Sequence, residues 1–190
     1  MTTIRELEGR PHFVIPMVML TVGNHAGSNG PVHYPADELE RSVPYWNQLS
    51  VVVYHPSLYG RGVSAGDPDI LNRQKIGVIF NTSFDGQRLK ADAWVDRERV
   101  YRVDERVAQA IAREQRMEVS TGLVMDFDEV HYNGAVATGR NFRPDHLAVL
   151  PDKIGACSLK DGCGLLRNEG DDIEYDHEDG LLLPSTEIAW

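Results

Sequence analysis

The chain has 190 residues, of which 42% are hydrophobic, and its formal net charge at pH 7 is −10. This length suffices for one packed domain and a tail, and no apolar run approaches the ~20 residues that a membrane-spanning helix needs. The acidic balance also argues against nucleic-acid binding, which needs a basic surface. The N-terminus is charged and lacks the apolar segment of a signal peptide, so we expect a soluble intracellular protein.

The negative charge is concentrated near the C-terminus. Residues 169–180 contain seven acidic residues and no Lys or Arg, and without those seven charges the net charge falls from −10 to −3. Such a block repels itself and rarely packs. We therefore expect a domain over 1–155 and a C-terminal extension over 156–190 with a flexible acidic tail. The tail serves either solubility or docking and self-processing.

The first half of the chain alternates strand and loop signals. Residues 13–22 form an apolar run typical of a buried strand, and a loop rich in Gly, Asn and Ser follows over 23–31. Pro35 and the acids after it indicate a helix start. Residues 50–54 are predicted as a second strand, and 57–73 as a long loop of the kind that often carries function.

The next segment predicts a hairpin and a helix. Residues 75–84 and 88–95 are β-prone and flank Asp85-Gly86, which is a strong hairpin signal. Asp96 is placed to cap a helix whose apolar stripe extends to Ile111.

Three further strands are predicted over 117–125, 135–141 and 146–150. With about seven strands and two helices, we expect a mostly β fold with peripheral helices (α+β). Its strands would form a mainly antiparallel barrel closed on itself. The two cysteines, Cys157 and Cys163, match neither a disulfide framework nor a two-residue metal or redox spacing, so we expect reduced thiols in a cytosolic protein.

Three residues form the candidate catalytic set. His55 ends the strand-like run over 50–54, Ser120 lies within the run over 117–125, and His146 begins the last run. A serine nucleophile needs a base that takes its proton and a third group that orients this base. Each residue alone is more typical of a structural role, and only the combination indicates catalysis.

Two other interpretations of these residues compete with this set. Strand alternation puts Asp145 and His146 on opposite faces, so that only one of them joins a given site. A metal-dependent hydrolase would require His25, His33 or His55 to converge on an ion, but their spacings match no compact ligand motif. We therefore expect neither a metal nor an organic cofactor.

The order of these residues resembles the tailed-phage prohead (capsid maturation) proteases, whose fold is similar to that of the herpesvirus assemblin serine proteases. The resemblance covers roughly residues 11–155. The intervals, 65 residues from His55 to Ser120 and 26 from Ser120 to His146, suit that family's order. It is carried by the following stretches: 34–39 with the strand before it, 46–56, 75–95, 118–123 and 144–150.

The resemblance implies a triad of Ser120 as nucleophile, His55 as base and His146 as the third member, with a closed barrel of the herpesvirus-protease type. A second histidine as third member matches the herpesvirus branch and implies a slow enzyme. That branch has arginines after the third member, which help the oxyanion hole. This chain instead has Lys-Ile-Gly-Ala at 153–156, so the backbone N–H groups of Gly155 and Ala156 are the candidates for that role.

The family further implies the partners and the place of action. The expected substrates are the phage scaffold and capsid proteins and the chain's own tail, cleaved inside the immature head in the host cytoplasm. A homodimer is an additional expectation from the herpesvirus branch. The alternative function is a catalytically inactive structural or scaffolding protein of head assembly with the same fold.

Overall fold

The computed structural model describes residues 1–27, 30–128 and 137–167, which hold twelve strands and four helices. The strands are β1 Thr3–Leu7, β2 Arg10–Thr21, β3 Gly23–Gly27, β4 Gly30–Tyr34, β5 Ser50–Val53, β6 Ser57–Leu58, β7 Arg61–Gly62, β8 Lys75–Phe84, β9 Arg88–Asp96, β10 Glu118–Asp128, β11 Ala137–Leu150 and β12 Gly164–Leu165. The helices are α1 Ala36–Trp46, α2 Pro68–Arg73, α3 Arg97–Val103 and α4 Glu105–Ala112. None of these helices is long and apolar enough to cross a membrane.

Ten strands form one mixed sheet in the order β1-β2-β9-β8-β5-β11-β4-β3, with β10 paired to β11 and β12 paired to β2. Strands β5 and β4 run parallel to β11, whereas the other ladders are antiparallel. The short strands β6 and β7 form a separate hairpin. The mostly β composition with peripheral helices therefore agrees with the sequence-based expectation.

The expectation of a closed, mainly antiparallel barrel of about seven strands is wrong. The sheet has ten strands, is mixed, and is not closed into a barrel in the part of the chain that the structure describes. Met117, the residue before β10, forms an isolated bridge with Leu165 of β12. The physical reason is long-range pairing: β11 accepts two parallel neighbours, and local sequence patterns do not specify such partners.

The predicted hairpin and the predicted helix cap after it are confirmed. Strands β8 and β9 pair across Asp85-Gly86, with Phe84 opposite Leu89, and the Asp96 side chain accepts a hydrogen bond from the Arg99 N–H at the start of α3. The predicted single helix up to Ile111 is instead two helices. Asp104, with an extended backbone, ends α3 and caps α4.

Other predicted boundaries are also corrected. The loop predicted over 23–31 contains β3 and the first two residues of its partner β4, and the loop over 57–73 contains β6, β7 and α2. The two strands predicted over 135–141 and 146–150 are one strand, β11. The predicted gap at 142–145 includes Pro144, a residue that is unusual inside a paired strand, whereas β10 pairs with β11 on both sides of it.

The two faces of β11 contact different apolar clusters. Leu147 and Val149 belong to the main core, which also holds Trp46 of α1. Ala148 and Leu150 face a second, smaller cluster with these members: Val52, Ala65 and Ile70. Because side chains alternate along a strand, His146 lies on the face of the smaller cluster, beneath the segment that carries β6, β7 and α2.

The segment after β11 packs on the same core, and the expectation of reduced thiols is wrong. Cys157 and Cys163 form a disulfide and are both buried, and Leu165 of β12 lies beside them in the main cluster. A local turn, in which Cys163 N–H donates to Ser158 C=O, brings the two cysteines together, and sequence spacing alone does not reveal it. The acidic block at 169–180 lies outside the described residues.

Candidate functional site

Two of the predicted site residues are in direct contact. His55 follows β5, His146 lies in β11, and the His55 Nδ1 to His146 Nε2 distance is 2.8 Å. The rings meet edge to face, with centroids 5.1 Å apart. In the parallel β5–β11 register His146 lies beside Ser50 and Val149 beside Val53, so the chain must turn back after β5 for His55 to reach His146. Residues 91 positions apart in sequence thus form one imidazole pair.

Ser120 lies next to this pair on the neighbouring strand. In the β10–β11 ladder Ser120 is opposite Ala148, and Gly122 is opposite His146. Partners in a ladder share a face, so Ser120 and His146 are diagonal neighbours, roughly 7 Å apart at their Cβ atoms. Ser120 is 8% exposed. Among the described residues, no hydrogen bond joins Ser120 to either histidine.

Gly122 provides the space that the His146 ring occupies. A Cβ atom built on Gly122 would lie 2.0 Å from Cε1 and 2.3 Å from Nε2 of His146. Any other residue at position 122 would therefore collide with the ring. The glycine two positions after Ser120 brings the imidazole close to the backbone of the strand that carries the serine.

Asp145 also joins this group, contrary to the alternation argument. Its Oδ2 atom accepts a hydrogen bond from His146 Nδ1 at 2.7 Å. The ladder pairs Gly122 with His146 but Leu123 with Pro144, so Asp145 is an extra, unpaired residue on β11. A β-bulge of this kind redirects a side chain and breaks the simple alternation. Pro144 was the available signal, because proline inside a paired strand is typical of bulges.

The Asp145 carboxylate connects the histidines to the segment above them. It accepts further hydrogen bonds from the Ser64 hydroxyl and, at 2.8 Å, from the Ala65 N–H. Burial favours a higher pKa for Asp145, but the hydrogen bonds from Ala65, Ser64 and His146 outweigh it and lower the pKa below its ordinary value. Asp145 is therefore an anion at neutral pH.

Both histidines are neutral at neutral pH for a related reason. Burial, with smaller contributions from His146 and Lys153, lowers the pKa of His55 to about 4. Burial also lowers the pKa of His146, while the hydrogen bond and charge of Asp145 oppose this shift. A neutral imidazole keeps one unprotonated nitrogen, which is the state that a general base requires.

The residue before His55 has an unusual backbone. Tyr54 has φ +62°, in the left-handed region that is costly for a bulky residue. Its N–H donates to the Val149 carbonyl, and its hydroxyl contacts Asp152 at 2.7 Å and Arg106 at 2.9 Å. These contacts hold the chain turn that directs His55 toward His146 rather than along β5.

The two oxyanion candidates have different surroundings. The Gly155 N–H donates to Glu118 Oε2 at 3.3 Å, and the same carboxylate accepts from the Leu159 N–H at 3.1 Å. The Gly155 donor is thus engaged by a side chain of β10. The predicted role of Ala156, which is half-buried, stays a prediction.

The histidines of the metal alternative do not converge. His25 bonds to Thr21, His33 bonds to Asn24, and His55 bonds to His146. Within 1–27, 30–128 and 137–167 there is no group of three His, Cys, Asp or Glu residues that could hold a metal ion. The metal-dependent hydrolase therefore lacks a ligand set in this part of the chain.

Comparison of this chain with protein-family models, with curated proteins and with solved structures gives no match.

Proposed function

We propose that this chain is a serine endopeptidase of tailed-phage head maturation, with Ser120 as nucleophile, His55 as general base and His146 as the residue that orients the base. The observation that carries the proposal is the 2.8 Å contact between His55 and His146 beside the strand of Ser120. A base held by a third group next to a serine is the arrangement that nucleophilic catalysis needs.

The reaction follows from the chemistry of these groups. His55 Nε2 takes the proton of Ser120 as Oγ attacks the peptide carbonyl, and the protonated imidazole then gives this proton to the leaving amine. Water hydrolyses the resulting acyl-enzyme, again with His55 as base. The described residues show no hydrogen bond between Ser120 and His55. The mechanism therefore requires these two side chains to move within hydrogen-bonding distance when substrate binds.

The substrates and location follow from the resemblance to the prohead proteases. They are the scaffold protein, the N-terminal arm of the capsid protein and the chain's own acidic tail at 169–180, cleaved within the immature head. A homodimer belongs to the same proposal. The neutral imidazole as third member supports a slow enzyme.

A structural or scaffolding protein of head assembly is the second candidate. The observation that favours it is the missing hydrogen bond between Ser120 and His55, because a protein without catalysis has no need of that contact. The two candidates differ in one respect that can be measured, namely whether Ser120 cleaves peptide bonds.

The test is co-expression of the chain with its candidate capsid and scaffold proteins, followed by intact mass measurement. We expect fragments with the wild type and with Ser83→Ala, a matched control at an exposed serine of β8, and none with Ser120→Ala. Intact capsid and scaffold proteins with all three forms of the chain would reject the protease and favour the scaffolding protein.

A further inference from the structure

The Asp145 carboxylate determines where the protons of the histidine pair lie. An ionised carboxylate only accepts hydrogen bonds, so the His146 Nδ1 at 2.7 Å from Oδ2 must carry a proton. A neutral His146 then has a bare Nε2, which can only accept. The His55 Nδ1 at 2.8 Å from that nitrogen must therefore be the donor. This leaves His55 Nε2 without a proton.

We infer that Asp145 is a positioning residue, a fourth member of the site, which fixes the tautomers of His146 and His55 so that His55 Nε2 is the free base. The inference rests on the proposed function of the site. The carboxylate is itself held by Ser64 and Ala65, so its orientation does not depend on the histidines alone.

The same carboxylate supplies the charge that the reaction needs. When His55 takes the serine proton, the imidazolium faces a neutral ring of His146, and Lys153 is the nearby cation that opposes it. Asp145, hydrogen-bonded to the far side of His146, is the anion that balances this new charge. Through His146, Asp145 thus gives protonated His55 part of the stabilisation that a carboxylate at position 146 would give.

The experiment is ¹⁵N NMR of the full chain with labelled histidine at pH 7.5, combined with peptidase kinetics. In the wild type we expect the Nδ1–H tautomer for both His55 and His146. In Asp145→Ala the His146 Nδ1 loses its acceptor, so His146 can carry its proton on Nε2 and donate it to His55 Nδ1, which puts the proton of His55 on Nε2. We expect this tautomer change, a loss of ~10²–10⁴-fold in kcat and a KM within threefold of the wild type.

The matched control is Asp126→Ala, which removes an exposed carboxylate from the same β10–β11 ladder, where it pairs with Arg143. It should change neither the histidine signals nor kcat. An Nε2–H tautomer of His146 in the wild type would overturn the inference, as would unchanged tautomers and kcat in folded Asp145→Ala. If Asp145→Ala does not fold, the wild-type tautomers decide the question.

The tautomer measurement does not depend on peptidase activity. A chain that cleaves nothing but shows Nδ1–H on both rings supports the role of Asp145 and rejects the proposed function. A chain that cleaves through Ser120 but keeps its tautomers in Asp145→Ala supports the function and rejects the role of Asp145.

Discussion

Replacing Gly122 by alanine should displace the His146 ring without removing any side chain of the proposed catalytic group. The new Cβ atom would lie 2.0 Å from Cε1, 2.3 Å from Nε2 and 2.4 Å from Nδ1 of His146. Carbon atoms in contact are ordinarily 3.5–4.0 Å apart, so the ring must move by about 1.5 Å. A shift of this size is incompatible with the 2.8 Å hydrogen bond to His55.

The expected cost has a structural and a catalytic part. Overpacking of a filled site typically costs about 1–3 kcal/mol, and a lost hydrogen bond adds about 1 kcal/mol. We therefore expect Gly122→Ala to reduce the free energy of unfolding by about 2–4 kcal/mol. A misplacement of about 1 Å in a catalytic group can cost about 10²-fold in rate, so kcat should fall by at least that factor.

The assay is urea unfolding together with kcat for cleavage of a peptide substrate, and Gly139→Ala is the control. Gly139 lies in the same ladder, and its added Cβ would meet Met125 Sδ at 2.7 Å and Phe142 Cε1 at 2.9 Å. The end of the methionine side chain can move away but the buried Phe142 ring moves less freely, so we expect a loss of about 1–3 kcal/mol and an unchanged kcat.

A double-mutant cycle separates the collision from other effects. In a His146→Ala background the ring is absent, so the added methyl of Gly122→Ala should cost almost nothing. The two substitutions should therefore deviate from additivity by at least about 2 kcal/mol. Additive free energies, or a Gly122→Ala variant with wild-type kcat, would refute the described packing of His146 over Gly122.

Two further predictions concern stability. The pKa of His55 is about 4 in the folded protein, against 6.5 for a free histidine, so the unfolded state binds a proton first as the pH falls. The free energy of unfolding should therefore decrease by about 2 kcal/mol between pH 7 and pH 5. The decrease of the urea midpoint from pH 7 to pH 5 should be smaller in His55→Gln than in the wild type. An equal decrease in both proteins would contradict this. The disulfide of Cys157 and Cys163, six positions apart, should contribute about 2 kcal/mol, so the double alanine variant should unfold at lower urea. Two alkylatable thiols in the untreated, denatured wild type would show that the bond is absent.

Local patterns sufficed to predict several elements of the fold. The Asp85-Gly86 turn predicted the β8–β9 hairpin, and Asp96 predicted the start of α3, because turns and caps depend on a few adjacent residues. The prediction of a closed barrel was wrong because the partners of β11 are set by contacts between distant segments. The disulfide was missed because six-residue spacing describes neither the turn nor the burial that brings Cys157 to Cys163.

The candidate site shows the same division. His55 and His146 were chosen from sequence, and the structure joins them by a hydrogen bond. Asp145 was set aside because strict alternation was assumed, whereas Pro144 marks a bulge that turns the carboxylate toward His146. The alternation of side chains between the two faces of a strand fails at the residue where the strand departs from regular pairing.

The most direct test of the proposed serine peptidase is reaction of the chain with a fluorophosphonate probe, which forms a stable bond only with an activated serine. Intact mass and peptide mapping should find one adduct, on Ser120, in the wild type. The adduct should be absent from Ser120→Ala and at least 100-fold slower to form in His55→Ala. An unlabelled wild type, or labelling that does not depend on His55, would contradict a catalytic role for this group.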